Sequence, residues 1–229
     1  MAVYAIGDLH LPFGSPKSMD IFGGAWEGYV DKLRVGLSIL QPDDICVLAG
    51  DLSWAMRLPE TLPDFQFVNS FPGRKIVLKG NHDYWWETVG KNTRFLASNG
   101  INSIEFLHNN HFEYNGIGLC GTRGWFFEEE KGSDEDRKIF ARELLRLEAS
   151  LKSADGLRKY VFLHYPPLYR NYECREIISL FEQYEVERCY YGHIHGAGHR
   201  SAFEGIFNGV EYTMISADWL NFNPVCVAR

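Results

Sequence analysis

"KIVLKGNHDYWW", residues 75–86, decides how this chain is read. It begins as a buried strand, with Ile76, Val77 and Leu78 in an unbroken apolar run that Gly80 brings to an end. Asn81, His82 and Asp83 then arrive together, three side chains able to coordinate ions or move protons, followed by Tyr84, Trp85 and Trp86. Four further runs end in the same way: "AVYAIGD" at 2–8, "DICVLAGD" at 44–51, "KYVFLH" at 159–164 and "RCYYGH" at 188–193. Helix-compatible stretches lie between these runs, near 25–39, 59–70, 84–98 and 174–184. That alternation predicts an α/β protein with a largely parallel core sheet.

The clearest helix is 134–153, where Phe140, Leu144, Leu147 and Leu151 form an apolar stripe. Ser133 is placed to cap it, and Asp134, Glu135 and Asp136 suit its positive end. Asn115-Gly116 and Asn208-Gly209 each predict a hairpin turn. No repeat, low-complexity run or linker divides the 229 residues, so one domain spanning 1–229 is expected.

Composition narrows the classes. With 45% hydrophobic and 23% charged residues the chain can bury a full core. No apolar run approaches the ~20 residues of a membrane span, and "MAVYAIGDLH" lacks the basic and long apolar regions of a signal peptide. Five cysteines (46, 120, 174, 189, 226), without close spacing, read as buried apolar residues in a reducing compartment, hence a cytoplasmic location. A net charge of −7 argues against nucleic acid as a partner.

In open α/β sheets, ligands bind beyond the carboxyl edge of the strands. Here that edge collects Asp8-x-His10, Gly50-Asp51, Gly80-Asn81-His82-Asp83, His164 and Gly192-His193-x-His195. Any one of these is common in a turn; all of them in sequence, each after a predicted strand, are not. His108, His111 and His199 lie outside the pattern and read as surface or packing residues.

The ordered set resembles the calcineurin-like metallophosphoesterase superfamily, whose pattern is D-x-H, G-D, G-N-H-[D/E], H and G-H-x-H. The match covers residues 8 to 195. The resemblance implies a four-layer αββα sandwich of two mixed β-sheets between helices, with a dinuclear metal site at the carboxyl ends of the strands. It implies that Asp8, His10 and His195 hold one ion, that Asn81, His164 and His193 hold the other, and that Asp51 bridges them. His82 matches the family's catalytic histidine, which does not bind metal.

The chemistry of the donor set agrees with this. Imidazole-rich ligation favours Mn, Fe, Zn, Co or Ni over Ca, so two divalent transition-metal ions are the expected cofactors. With two carboxylates and a bridging hydroxide such a pair retains about +1, which attracts a phosphate oxygen. The expected activity is hydrolysis of phosphodiester bonds in a small phosphoester substrate, with His82 as general acid.

Rival readings are a phosphomonoesterase acting on a protein or small metabolite, and a non-catalytic scaffold on the same fold. The scaffold is disfavoured because the ligands and His82 are all kept; a nuclease is disfavoured by the acidic charge. Protein serine/threonine phosphatases read G-D-x-x-D-R-G where this chain reads "GDLSWAMR", with Trp54 in place of the Asp that orients the histidine and Arg57 displaced. The G-H-x-H ending resembles small cyclic-nucleotide-type phosphodiesterases and broad phosphoesterases more closely. What orients His82 stays open, as does oligomeric state. Asp83 is expected to fix the loop, and Trp85 and Trp86 to pack a helix on the sheet, while Tyr84 or one Trp lines the cleft. Arg123 in "GTRGW" is either a phosphate clamp, since guanidinium matches phosphate oxygens bidentately, or a solvated hairpin residue.

Overall fold

The structure, a computed structural model, describes residues 1–126, 132–170 and 172–229. Strand β1 (Val3–Ile6) leads through α1 (Tyr29–Leu37) to β2 (Ile45–Ala49), then through α2 (Leu62–Asn69) to β3 (Arg74–Leu78) and through α3 (Val89–Ser98) to β4 (Ile104–Phe106). These four strands are parallel neighbours in the order β1-β2-β3-β4, and β13 (Val225–Ala228) adds antiparallel at the β1 edge. The second sheet is built from β5 (His111–Tyr114), β6 (Ile117–Thr122), β7 (Arg158–Leu163), β10 (Val186–Tyr191), β11 (Gly205–Phe207) and β12 (Val210–Met214), in the order β11-β12-β10-β7-β6-β5. Its centre is parallel and both edges are antiparallel. A small ribbon, β8 (Leu168–Tyr169) with β9 (Tyr172–Glu173), precedes α5 (Arg175–Gln183).

One largely parallel sheet is therefore too simple a picture; the sandwich of two mixed sheets implied by the resemblance is what forms. Two of the antiparallel edges come from the predicted hairpins. Asn115 and Gly116 (φ 46° and 76°) and Asn208 and Gly209 (φ 46° and 81°) take the left-handed conformations that a two-residue turn between twisted strands requires.

Alternation along the strands separates the layers. Val3, Ala5, Val47, Ala49, Ile76 and Leu78 face the second sheet and pack with Leu119, Tyr160, Phe162 and Tyr190. Ile6, Cys46, Leu48 and Val77 point the other way, against Leu33, Phe65, Val68 and Leu96 of α1, α2 and α3. Helix α4 (Asp134–Ser153) and α5 cover the outer face of the second sheet through Phe140, Leu147, Leu151, Ile177 and Phe181. Ser133 caps α4, its hydroxyl accepting from the Asp136 amide while the Asp136 carboxylate accepts from Ser133. Helix α3 begins at Val89, later than the sequence suggests, because Tyr84 and Trp85 form a turn and the chain then runs without helix to Thr88, the extended N-cap. Among the described residues no helix is long and apolar enough to cross a membrane.

The two sheets meet at their carboxyl ends. Gly7 bridges to Ser216, its amide donating to Ile215 O at 2.7 Å, and the Asp8 amide donates to Gly50 O at 2.9 Å. The Gly192 amide reaches His164 O at 3.2 Å. The five strand ends that carry polar residues are thus pulled to one place.

Candidate metal centre and active site

Each donor-bearing segment turns sharply as it leaves its strand. Asp8, His10, Asp51 and His193 all have positive φ (59°, 47°, 50° and 72°), a costly backbone for residues with a Cβ. Strain of this kind persists only where surrounding bonds over-determine it. Two glycines make room: a Cβ on Gly80 would overlap the Asp51 carboxylate, and one on Gly192 would overlap that of Asp8. Alanine at either position would push a carboxylate out of place.

Asp83 ties the loops together. Its carboxylate is fully buried and accepts from the amides of Gly80 (2.7 Å), Asp51 (2.9 Å) and Leu52 (2.9 Å) and from the Trp85 indole (3.0 Å). That fixes the β2 and β3 loops against each other, the loop-holding role read from the sequence. Trp85 is buried edge-on against Phe65 and Trp86 packs on Phe106, so both serve the core; Tyr84 is exposed and stands edge-on to His82.

Two groups of donors converge, Asp8 with His10 and His195, and Asp8 with Asp51 and His164. Asp8 Oδ1 lies 3.6 Å from both His195 Nε2 and His164 Nδ1. Asp51 Oδ2 lies 3.7 Å from His10 Nε2 and 3.5 Å from His164 Nε2. Asn81 joins through Oδ1, 2.6 Å from His164 Nε2. Asp8 is common to both groups, whereas Asp51 sits between His10 and His164. His193 and His82 stand further out. The His193 ring lies against Tyr165 with its centroid 5.1 Å from that of His164, and its amide donates to the Asp8 carboxylate at 2.9 Å. His82 places its ring 5.7 Å from that of His10, and its amide donates to Asp51 Oδ1 at 2.7 Å.

Arg123 points elsewhere. Its guanidinium reaches Glu143 Oε1 at 3.2 Å and stacks 4.6 Å over Trp125, while its carbonyl accepts from the His164 and Tyr165 amides. Glu143, buried within α4, also accepts from Thr122 and Arg146. Arg123 is thus neither solvated nor turned toward the converging donors.

The electrostatics fit divalent ions. Burial holds His164 down at about 3 and His193 at about 4, against the pull of Asp8, and burial keeps His10 well below its usual range. These imidazoles are neutral, the form that ligates metal. Burial, then the Asp83 and Asp8 charges, push Asp51 well above the usual carboxylate range. Carboxylates crowded in the interior call for positive charge, and His10 Nδ1 is buried without a hydrogen-bond partner. For His195, burial opposes protonation, but Asp8 and Asp218 outweigh it and raise the ring to about 10, so a bound ion there would have to displace that proton.

Sequence reading missed Asp218 and His199. Asp218 Oδ1 meets His195 Nδ1 at 2.9 Å, and its Oδ2 accepts from the Gly196 amide at 2.9 Å and lies 3.1 Å from His199 Nε2. His199, read as an ordinary surface or packing residue, therefore belongs to the surroundings of the site. Trp54 also takes a place: its ring stacks on His10 at 4.6 Å and lies 4.7 Å from His82. Where the protein phosphatases carry an aspartate, an indole packs against His82, and His82 Nδ1 is buried without a hydrogen-bond partner.

Two buried aspartates, an asparagine and several histidines thus gather at the junction of two mixed sheets in groups that could hold metal ions. The family model described as "Calcineurin-like phosphoesterase" matches residues 1–197, and the chain belongs to that family. A search of curated proteins finds no match. Among solved structures it is similar to phosphopantetheinyl hydrolase (PptH) from Mycobacterium tuberculosis, with 15% identity, TM-score 0.61, and coverage of 98% of this chain and 95% of that one. It is also similar to protein AQ665 of unknown function from Aquifex aeolicus, at 15% identity, TM-score 0.52, and 98% and 95% coverage. TT1561 of Thermus thermophilus resembles it at 12% identity, TM-score 0.52, and 99% and 97% coverage. At these identities the likeness is one of fold.

Proposed function

We propose that this phosphoesterase hydrolyses phosphodiesters, with Asp8, His10 and His195 holding one divalent transition-metal ion and Asn81, His164 and His193 the other. Asp51 is shared between them. The ions, whether Mn, Fe, Zn, Co or Ni, supply activation of water and charge stabilisation at phosphorus. The chain's own residues do the rest. Asp83 holds the Asp51 and Asn81 loops in register through the amides it binds. His82 delivers a proton to the leaving oxygen. Burial, then Lys17, depresses its pKa, and an anionic phosphate beside it would restore the proton it needs. The same reading puts the enzyme in the cytoplasm, in keeping with four buried, unpaired cysteines, and leaves it a small-molecule phosphoester as substrate.

The observation that carries the preference for diesters is the pairing of Arg123 with Glu143. A phosphomonoester dianion needs positive charge beyond that of the ions, and the one arginine placed after a strand end is tied to Glu143, a buried carboxylate it shares with Arg146, and stacked over Trp125. A diester monoanion balances the ~+1 left at the ions without help. The reading is tested by kcat/KM for an aryl diester and the matching aryl monoester on one Mn²⁺-loaded preparation. The diester is expected to be hydrolysed at least as well. A monoester advantage above about tenfold, or ~1.4 kcal/mol, would reverse the assignment.

Phosphomonoester hydrolysis is the second reading, favoured by Lys17, whose Nζ lies 4.6 Å over the Trp54 ring on the His82 side of the site. Lys17→Ala separates the two, since it should lower turnover of monoesters selectively if that ammonium faces the phosphate.

A further inference from the structure

Beside the donor cluster, on the His82 side, opens a cavity of about 670 Å³. His10, His82 and His195 form its inner wall, and Trp54 and Trp26 its aromatic sides. The outer wall is the short helical segment from Met19 to Trp26, which reaches the cavity through Met19, Phe22 and Ala25. Phe22 is 67% exposed and its neighbour Ile21 79%, although no core requires either of them. Among the described residues, no lysine or arginine lines this space, and its one carboxylate, Asp218, is engaged by His195. An apolar group would find indole, phenyl and thioether surface here, and the Lys17 ammonium beside this wall is already seated over the Trp54 ring.

Building on the phosphoesterase reading above, we propose that this cavity takes the leaving group of the substrate, and that this group is uncharged and apolar. The side of the ester is set by His82. The residue placed to protonate the departing oxygen lines this cavity, so the departing alcohol has to lie within it.

Phenyl methyl phosphate and 4-butylphenyl methyl phosphate test this, because their phenols differ little in acidity and differ in apolar length. Full burial gains about fourfold per methylene, or about two-hundredfold for four carbons. In an open cavity the butyl ester is expected to lead by at least tenfold in kcat/KM. Phe22→Ala and Ala25→Asp, both at exposed positions, should cut that lead to threefold or less. Equal rates for the two esters, or a lead that survives both substitutions, would overturn the proposal while leaving the phosphoesterase reading intact.

If neither ester is hydrolysed, the phosphodiesterase reading fails, and the cavity is judged by binding. In the metal-stripped protein, 4-butylphenol should quench the emission of Trp26 and Trp54 at concentrations at least tenfold below phenol, and Phe22→Ala should abolish the difference. Equal quenching by both phenols would sink the apolar site itself.

Discussion

Replacing Asp83 should loosen the site before it touches chemistry. Its Oδ2 accepts from the Asp51 and Gly80 amides, and its Oδ1 from the Leu52 amide, the Trp85 indole and, more weakly at 3.4 Å, the Ser53 amide. All lie in the interior, where a donor without an acceptor keeps its full desolvation cost. Asp83→Asn can retain one oxygen; if it keeps the Oδ1 partners, its amide group faces two donors. Two lost hydrogen bonds to a charged acceptor, at about 1.5 kcal/mol each, amount to ~3 kcal/mol. Relief of repulsion between Asp83 and Asp51 offsets part of this, so the net loss should fall at about 2–3 kcal/mol. Asp83→Ala strands every donor and should cost more, about 4–5 kcal/mol, near the upper end for single substitutions. The assay is urea unfolding of the metal-stripped proteins, so that ion binding does not contribute. An Asp83→Asn protein within about 0.5 kcal/mol of wild type would refute the idea that this carboxylate holds the two loops together.

Two other outcomes follow from single residues. His82→Ala should keep its metals and lose turnover by roughly 10²–10⁴, with the loss shrinking for nitrophenolate leaving groups that need little protonation; equal losses for alkyl and aryl esters would contradict an acid role. Lys75 is buried, its ammonium donating to the Phe71 and Gly73 carbonyls, and burial lowers its pKa to about 8 from the usual value of 10.5. The unfolded chain then binds more protons between those values, so this residue's contribution to stability grows as pH rises from about 8 to 10. Unfolding of wild type and Lys75→Met compared across that range should show the wild type gaining relative to the variant, and a constant difference would count against it.

Much of the centre was legible because it rests on local rules. A strand that ends in glycine and hands its next residues to the sheet edge can be read from one segment at a time, and "KGNHD" states both the donor and the residue that pins its loop. The α4 cap and the two Asn-Gly turns are equally local. What escaped depends on contacts across long stretches of sequence. Asp218 lies 23 residues beyond His195 in a segment with no motif spacing, and only the path through β11 and β12 returns it to that ring. Glu143 reads as one more charge on a polar helix, yet it is buried because Thr122, Arg123 and Arg146 surround it. Trp54 could be seen only as a missing aspartate; that the indole fills the gap between His10 and His82 is a matter of packing. The Met19–Trp26 wall has no periodicity to betray it.

On the proposed reading one chain holds two metal ions through residues gathered from five strand ends. Elemental analysis of protein saturated with Mn²⁺ and freed of excess measures this directly, on wild type and on Asp51→Ala. Two ions per wild-type chain are predicted, with Asp51→Ala weakened at both sites, because its carboxylate lies between His10 and His164. A single ion in saturated wild type, or an Asp51→Ala protein that still holds two ions as tightly, would contradict the account.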